Sequence, residues 1–195
     1  MFEFLIGFYS WEDVMNKVSI LFLAIIGLLA AQKMQAADPI SDELRRQWEA
    51  SRNQILTLSE AIPEDKYDYK PTPEVRSFRE QLQHLVGENF MFMGMVAGEK
   101  APGAPAPESL KSRAEIMKAL EDSYAYGVKV LAGLNDQKAT ESVAGFRGQQ
   151  MPRFGIVIAN MKDNHEHYGN LVTYIRLNGI TPPRTAARKQ QPPAR

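Results

Sequence analysis

Between Ser41 and Asn178 the apolar side chains fall into four stretches, each repeating at the period of an α-helix. Ser41 opens the first, and Leu44, Trp48, Ile55, Leu58 and Ile62 return to one face about every 3.6 residues. Pro63 closes it, and Pro71 and Pro73 keep the following YDYKPTPEVR segment out of regular helix. Ser77 and Glu80 have the spacing of a capping box, which predicts a second helix running to about Gly98. The proline- and glycine-rich KAPGAPAPESL reads as a loop, and Ser112 with Glu115 repeats the capping signature. A third stripe then follows through Ile116, Leu120, Tyr124, Gly127, Leu131 and Leu134. Asn135 to Gln150 is polar and glycine-containing and reads as a loop. Pro152 suits the first turn of a fourth helix, which Asn178-Gly179 and then Pro182-Pro183 terminate. No segment of useful length alternates with the period of a strand. The pattern predicts an all-α protein, a four-helix bundle over residues 38–183.

The two ends read differently. Val18 to Ala31 (VSILFLAIIGLLAA) is a run of fourteen residues without a charge. That suits the core of a secretory signal, about 7–15 residues, better than a membrane span of about 20. Lys17 precedes the run, and cleavage is expected near Ala36, although Met34 is larger than the residue usual two positions upstream. Glu3, Glu12 and Asp13 make an acidic leader, which a start at Met15 would remove. Residues 1–37 therefore read as leader and signal, with an N-terminal membrane anchor as the competing reading. Export, to a periplasm or the medium, follows from the first. Residues 184–195 are basic and proline-bearing and read as a disordered tail.

Composition narrows the chemistry. Acidic and basic residues both number 23, so the chain offers no electrostatic footprint for nucleic acid. Cysteine is absent, which removes disulfides, thiolate metal ligands and a cysteine nucleophile. No phosphate-cradling glycine loop and no G-x-S-x-G elbow is present. Imidazole chemistry rests on His84, His165 and His167.

His84 shares a face of the second helix with Glu88, Met91 and Met95. His165 and His167 point about 200° apart on a regular helix, so one ion cannot take both. His165 lies on the stripe of Ile158, Met161, Val172 and Ile175, whereas His167 lies with Asp163, Asn170 and Tyr174. Apolar periodicity turns His165 inward. A buried metal site would instead turn the polar row inward, with Asp163 and His167 gripping one ion as an i, i+4 pair. The residues alone leave both orientations open.

The stretch IPEDKYDYKPTPEVRSFREQLQHL, followed later by HEHYGNLVTYIRLNGITPP, resembles the DinB/YfiT-like superfamily of metal-binding four-helix bundles. The resemblance spans Leu44 to Pro183. It implies a metal-binding histidine in the second helix, matched by His84, and an H-x-x-x-H pair in the last. His167 matches the second member of that pair, and the first position holds Asp163, a departure from the family pattern. The implied ligand set is His84, Asp163 and His167, with His165 outside it. Such a set suits zinc, nickel, iron or manganese. Glu88 and Asn170, the nearest polar residues on the same faces, are the candidates for general base or supporting contacts.

The resemblance further implies a metal-dependent thiol transferase or hydrolase acting on a small molecule, and pairing of bundles into a homodimer. Export weighs against the thiol version, because small thiols are scarce outside the cytosol. The competing reading is a non-catalytic bundle of the cell envelope whose metal site is degraded.

Overall fold

The computed structural model describes residues 11–12, 15–19 and 38–190, and the chain divides into two units at Ala37 and Asp38. Residues 11–12 and 15–19 are helical. The rest of the apolar run and the expected cleavage position near Ala36 lie outside the described residues, as do residues 191–195 of the tail. Among the described residues no helix is long and apolar enough to cross a membrane.

The second unit is mostly helical. Its four long helices are α1 (Pro39–Ala61), α2 (Phe78–Ala97), α3 (Arg113–Ala132) and, after shorter pieces, α5 (Arg153–Leu177). α1 packs on α3 and α5, and α2 packs on the same two, so the four enclose one core. Trp48, Ile55 and Leu58 of α1, Leu82, Leu85 and Met93 of α2, and Ile116, Leu120 and Tyr124 of α3 are buried in it. Those of α1 and α3 are residues that the 3.6-residue period singles out.

The helix starts follow from local chemistry. At α2 the Ser77 hydroxyl accepts from the Glu80 amide at 3.1 Å, and the Glu80 carboxylate accepts from the Ser77 amide at 2.6 Å. Ser112 and Glu115 do the same at α3. Gly98 ends α2 in the left-handed region, φ 75°, where a side chain would be strained. α1 begins at Pro39 rather than at Ser41, because its cap comes from elsewhere. The Asp136 carboxylate accepts from the Ile40 and Ser41 amides at 3.2 and 2.9 Å, and Asp38 accepts from the Asp136 amide at 2.9 Å. This reciprocal pair ties the first turn of the bundle to the segment that follows α3.

That segment is not the loop that its composition predicts. It holds a short helix α4 (Asp136–Thr140) and a two-stranded hairpin, β1 (Ser142–Ala144) antiparallel to β2 (Gln150–Pro152), with Val143 opposite Met151. Phe146 in the turn packs edge-on against Phe92 of α2, ring centroids 4.7 Å apart. Three-residue strands are too short to register as a period. The C-terminal reading is also corrected in part: residues 184–189 of the predicted disordered tail lie in helix α6 (Pro183–Lys189), started by Pro183 at its first position.

Between α1 and α2 the proline-rich segment is pinned rather than loose. The Phe78 amide donates to the Tyr69 carbonyl at 3.1 Å, and the Arg79 amide to the Tyr67 carbonyl at 2.7 Å. Tyr67 is fully buried, and its hydroxyl donates to the Ser59 carbonyl at 3.0 Å. Tyr174 of α5 donates to the Arg76 carbonyl at 2.8 Å, so the segment is also tied to the helix that carries His167.

Candidate metal centre

Two acid–imidazole pairs, each spaced i, i+4, meet on facing helices. His84 and Glu88 lie on α2, with Nε2 to Oε1 at 2.8 Å. Asp163 and His167 lie on α5, with Nε2 to Oδ2 at 3.4 Å. The imidazole rings are 4.9 Å apart between centroids, and one ligand atom from each of the four residues lies within 4.8 Å of every other. Histidine faces histidine and acid faces acid while the pairs run in opposite sequence order, so α2 and α5 are antiparallel here.

The geometry decides the orientation that periodicity left open. His167 is 6% exposed, whereas His165 is exposed, with its Nδ1 at 2.6 Å from the Met161 carbonyl. Ile158, on the apolar stripe of His165, is 49% exposed. The inward face of α5 instead carries Asn160, Asn164 and His167 between apolar neighbours. Hydrogen bonds make this polar row tolerable. Asn164 Nδ2 donates to Asn89 Oδ1 at 3.0 Å and to Asn160 Oδ1 at 2.7 Å, and the Tyr124 hydroxyl donates to Asn164 Oδ1. Asn89 donates on to the Ser123 hydroxyl at 3.1 Å.

Of the residues singled out in the sequence, His84, Glu88, Asp163 and His167 come together. Glu88 stands among the potential ligands rather than behind them. Asn170 does not join them: it is on the face of Asp163 and His167 but one turn further along α5, where it is exposed. Gln81 was missed. Its side-chain oxygen meets His167 Nδ1, which fixes the proton on that nitrogen and leaves Nε2 free toward the acids. Its place one helical turn before His84 puts it on the same face, the signal that could have found it.

Electrostatics mark these groups as a set. Burial pushes the Glu88 carboxyl up to about 8, and neighbouring Asp163 adds to the rise while Arg76 opposes it. Burial also lowers His84, with Arg76 and His167 acting in the same sense. For His167 burial again leads the lowering, Asp163 opposes it, and Arg76 adds to it. Glu88 Oε2 and Asp163 Oδ2 are both buried and accept no hydrogen bond. Two adjacent carboxylates with vacant lone pairs are costly in a protein interior, and a divalent cation supplies the missing charge. Two imidazoles and two carboxylates suit a borderline divalent ion. On both counts the residues fit a metal.

Beyond His84 the centre adjoins a cavity of about 400 Å³, lined among others by Lys70, Val75, Arg76, Glu80 and Gln83. That is the size of a small-molecule site.

Comparison with known proteins agrees with this architecture. The family model described as DinB family matches residues 32–194. The chain belongs to the DinB family. Among solved structures, a DinB-like protein from Bacillus cereus superposes with a TM-score of 0.64 at 16% identity, covering 73% of this chain and 95% of that one. The DinB-like protein YjoA of Bacillus subtilis gives 0.58 at 20% identity, covering 70% and 92%. These identities carry the fold alone. No curated protein matches the chain.

Proposed function

We propose that this DinB-family protein is an exported four-helix bundle that holds a divalent metal between its second and fourth long helices. There it acts on a small molecule as a metal-dependent hydrolase or thiol transferase. One observation carries the reading: four potential ligands within 4.8 Å of one another, two of them half-buried carboxylates, each with one oxygen shielded from solvent and without a hydrogen-bond partner. His84, Glu88, Asp163 and His167 would hold zinc, nickel, iron or manganese. When bound, such an ion supplies Lewis acidity that makes a nearby water or thiol nucleophilic at neutral pH. Gln81 keeps His167 in the tautomer that leaves Nε2 available. The buried Asn89–Asn164–Tyr124 network holds the adjoining turns of α2 and α5 in register. The cavity beyond His84 admits substrate from solvent.

Elemental analysis of chelator-stripped protein after metal titration tests the centre. One equivalent of metal is expected in the native chain. His84→Ala and His167→Ala should each lose it, with affinity down by about a hundredfold or more. Full occupancy in both variants, or none in the native protein, rejects the reading and favours a non-catalytic envelope bundle.

Export rests on the apolar run from Val18 to Ala31 and the small residues after it. N-terminal sequencing of the protein recovered from a periplasmic fraction should begin close to Ala37, and retention of residues 15–36 in the cytosol would refute it. Pairing into a homodimer is part of the same proposal, and binding of nucleic acid is not.

A further inference from the structure

The cavity beside His84 contains two cations, and only one of them is committed. The Lys70 ammonium lies 2.9 Å from the Glu80 carboxylate, which also caps the Ser77 amide. The Glu74 carboxyl, on the same cavity, is held below the usual carboxylate range by its own backbone amide and by Thr72. Arg76 has no carboxylate in ion-pair range among the described residues. Its backbone is nonetheless fixed, because Tyr174 donates to its carbonyl and the two bonds from Phe78 and Arg79 close the loop around it. Arg76 is exposed into the cavity that His84 also lines, which places it beside the centre.

A guanidinium is a planar fork that matches an oxyanion with two parallel hydrogen bonds. An uncommitted one, held on a pinned loop and sharing a cavity with a potential metal ligand, is placed to receive the far end of a substrate. We infer that Arg76 is the substrate-recognition residue of this site, and that the substrate class is a small molecule carrying an oxyanion within a short linker of the group that meets the metal. The inference rests on the metal reading above.

The test uses the full exported chain loaded with cobalt, whose absorption reports thiolate coordination directly. Three probes carry the same metal-binding end: thioglycolate and 3-mercaptopropionate, which end in a carboxylate, and 2-mercaptoethanol, which is neutral. A fourth, 2-mercaptoethanesulfonate, presents a tetrahedral oxyanion, so the stronger of the two anionic types identifies the head group. In the native protein at least one anionic probe should bind about tenfold tighter than 2-mercaptoethanol. Arg76→Gln should bring that ratio to about one while cobalt stoichiometry stays complete. Arg76→Lys, which keeps the charge and loses the fork, should restore part of it.

A ratio within twofold of native in the cobalt-loaded Arg76→Gln protein overturns the inference and leaves the metal centre standing. Loss of cobalt in Arg76→Gln also overturns it, since Arg76 would then serve the centre rather than the substrate. If the native chain takes up no cobalt at all, the metal reading itself has failed and the inference falls with it. Stoichiometry and probe selectivity are read separately, so the two failures are distinguishable.

Discussion

Glu88→Gln is expected to make the metal-free protein more stable while stripping it of metal. Glu88 is held up near 8 by burial and by Asp163, so the native state keeps a proton that the unfolded chain releases around the ordinary glutamate value of 4.5. The sign of the linkage follows. Stability contributed by the protonated form is fully present below about 4.5 and is lost as pH rises toward 8. Glutamine has the same shape and never ionises, so its advantage over the native protein grows across that interval. A buried, unsatisfied carboxylate costs about 1–3 kcal/mol, and at this chain length each kcal/mol moves the melting temperature by about 2–4 °C. The histidines shift in the opposite sense, with stability present above 6.5 and lost as pH falls. Both proteins carry them, and because His84 Nε2 lies 2.8 Å from Glu88 Oε1 the comparison of the two melting curves reads Glu88 together with that contact.

With metal present the order should reverse. The native protein gains stability in proportion to the logarithm of metal concentration over Kd. The glutamine variant, short of one anionic ligand, should bind about a hundredfold more weakly. Because the ion must displace the Glu88 proton, native affinity should also climb with pH up to about 8. Calorimetric melting with and without zinc, at pH 6 and pH 8, reads all of this. A variant that is less stable without metal, or that binds zinc as tightly as the native chain, would return Glu88 to the rank of an ordinary helix-surface acid.

The same residues show where sequence reading succeeds and where it stops. Ser77 pairs with Glu80, and Ser112 with Glu115, within one turn of helix, so the starts of α2 and α3 are legible from spacing alone. The start of α1 is not, because its cap belongs to Asp136, far along the chain. The inner face of α5 inverts the hydropathy rule. Asn160, Asn164 and His167 point inward because Asn89, Tyr124 and Gln81 wait there to receive them, while Ile158 is left in solvent. Apolar periodicity prices each residue by its own solubility, and these partners arrive only with the tertiary fold. Resemblance, not periodicity, named His167 over His165. The resemblance could not supply Gln81 or Arg76, whose roles depend on what α5 brings across to them.

Gly127→Ala is expected to be among the most damaging single substitutions in the bundle, against the direction that helix propensity gives. In the interior of an exposed helix, alanine is better than glycine by about 1 kcal/mol. Gly127 lies on the buried stripe of α3, where the indole of Trp48 covers it. A Cβ built there would sit 2.7 Å from Trp48 Nε1 and closer still to Cε2 and Cζ2. The indole cannot swing clear. It is fully buried, packs at 5.0 Å on the Tyr124 ring, and donates from Nε1 to the Tyr124 carbonyl at 3.0 Å. Overpacking of this kind costs about 1–3 kcal/mol, and more where a rigid ring rather than a flexible chain end must yield. We expect a loss of about 3 kcal/mol or more in denaturant unfolding. Trp48→Phe should itself cost about 2 kcal/mol, through the lost hydrogen bond and the space it leaves. On that background the Cβ meets the space the indole edge vacated, so the added cost of Gly127→Ala should shrink to under about 1 kcal/mol. The coupling in this double-mutant cycle is the decisive quantity. Simple additivity of the two losses would mean that α1 and α3 do not meet at this glycine, and would undermine the helix packing on which the metal centre is built.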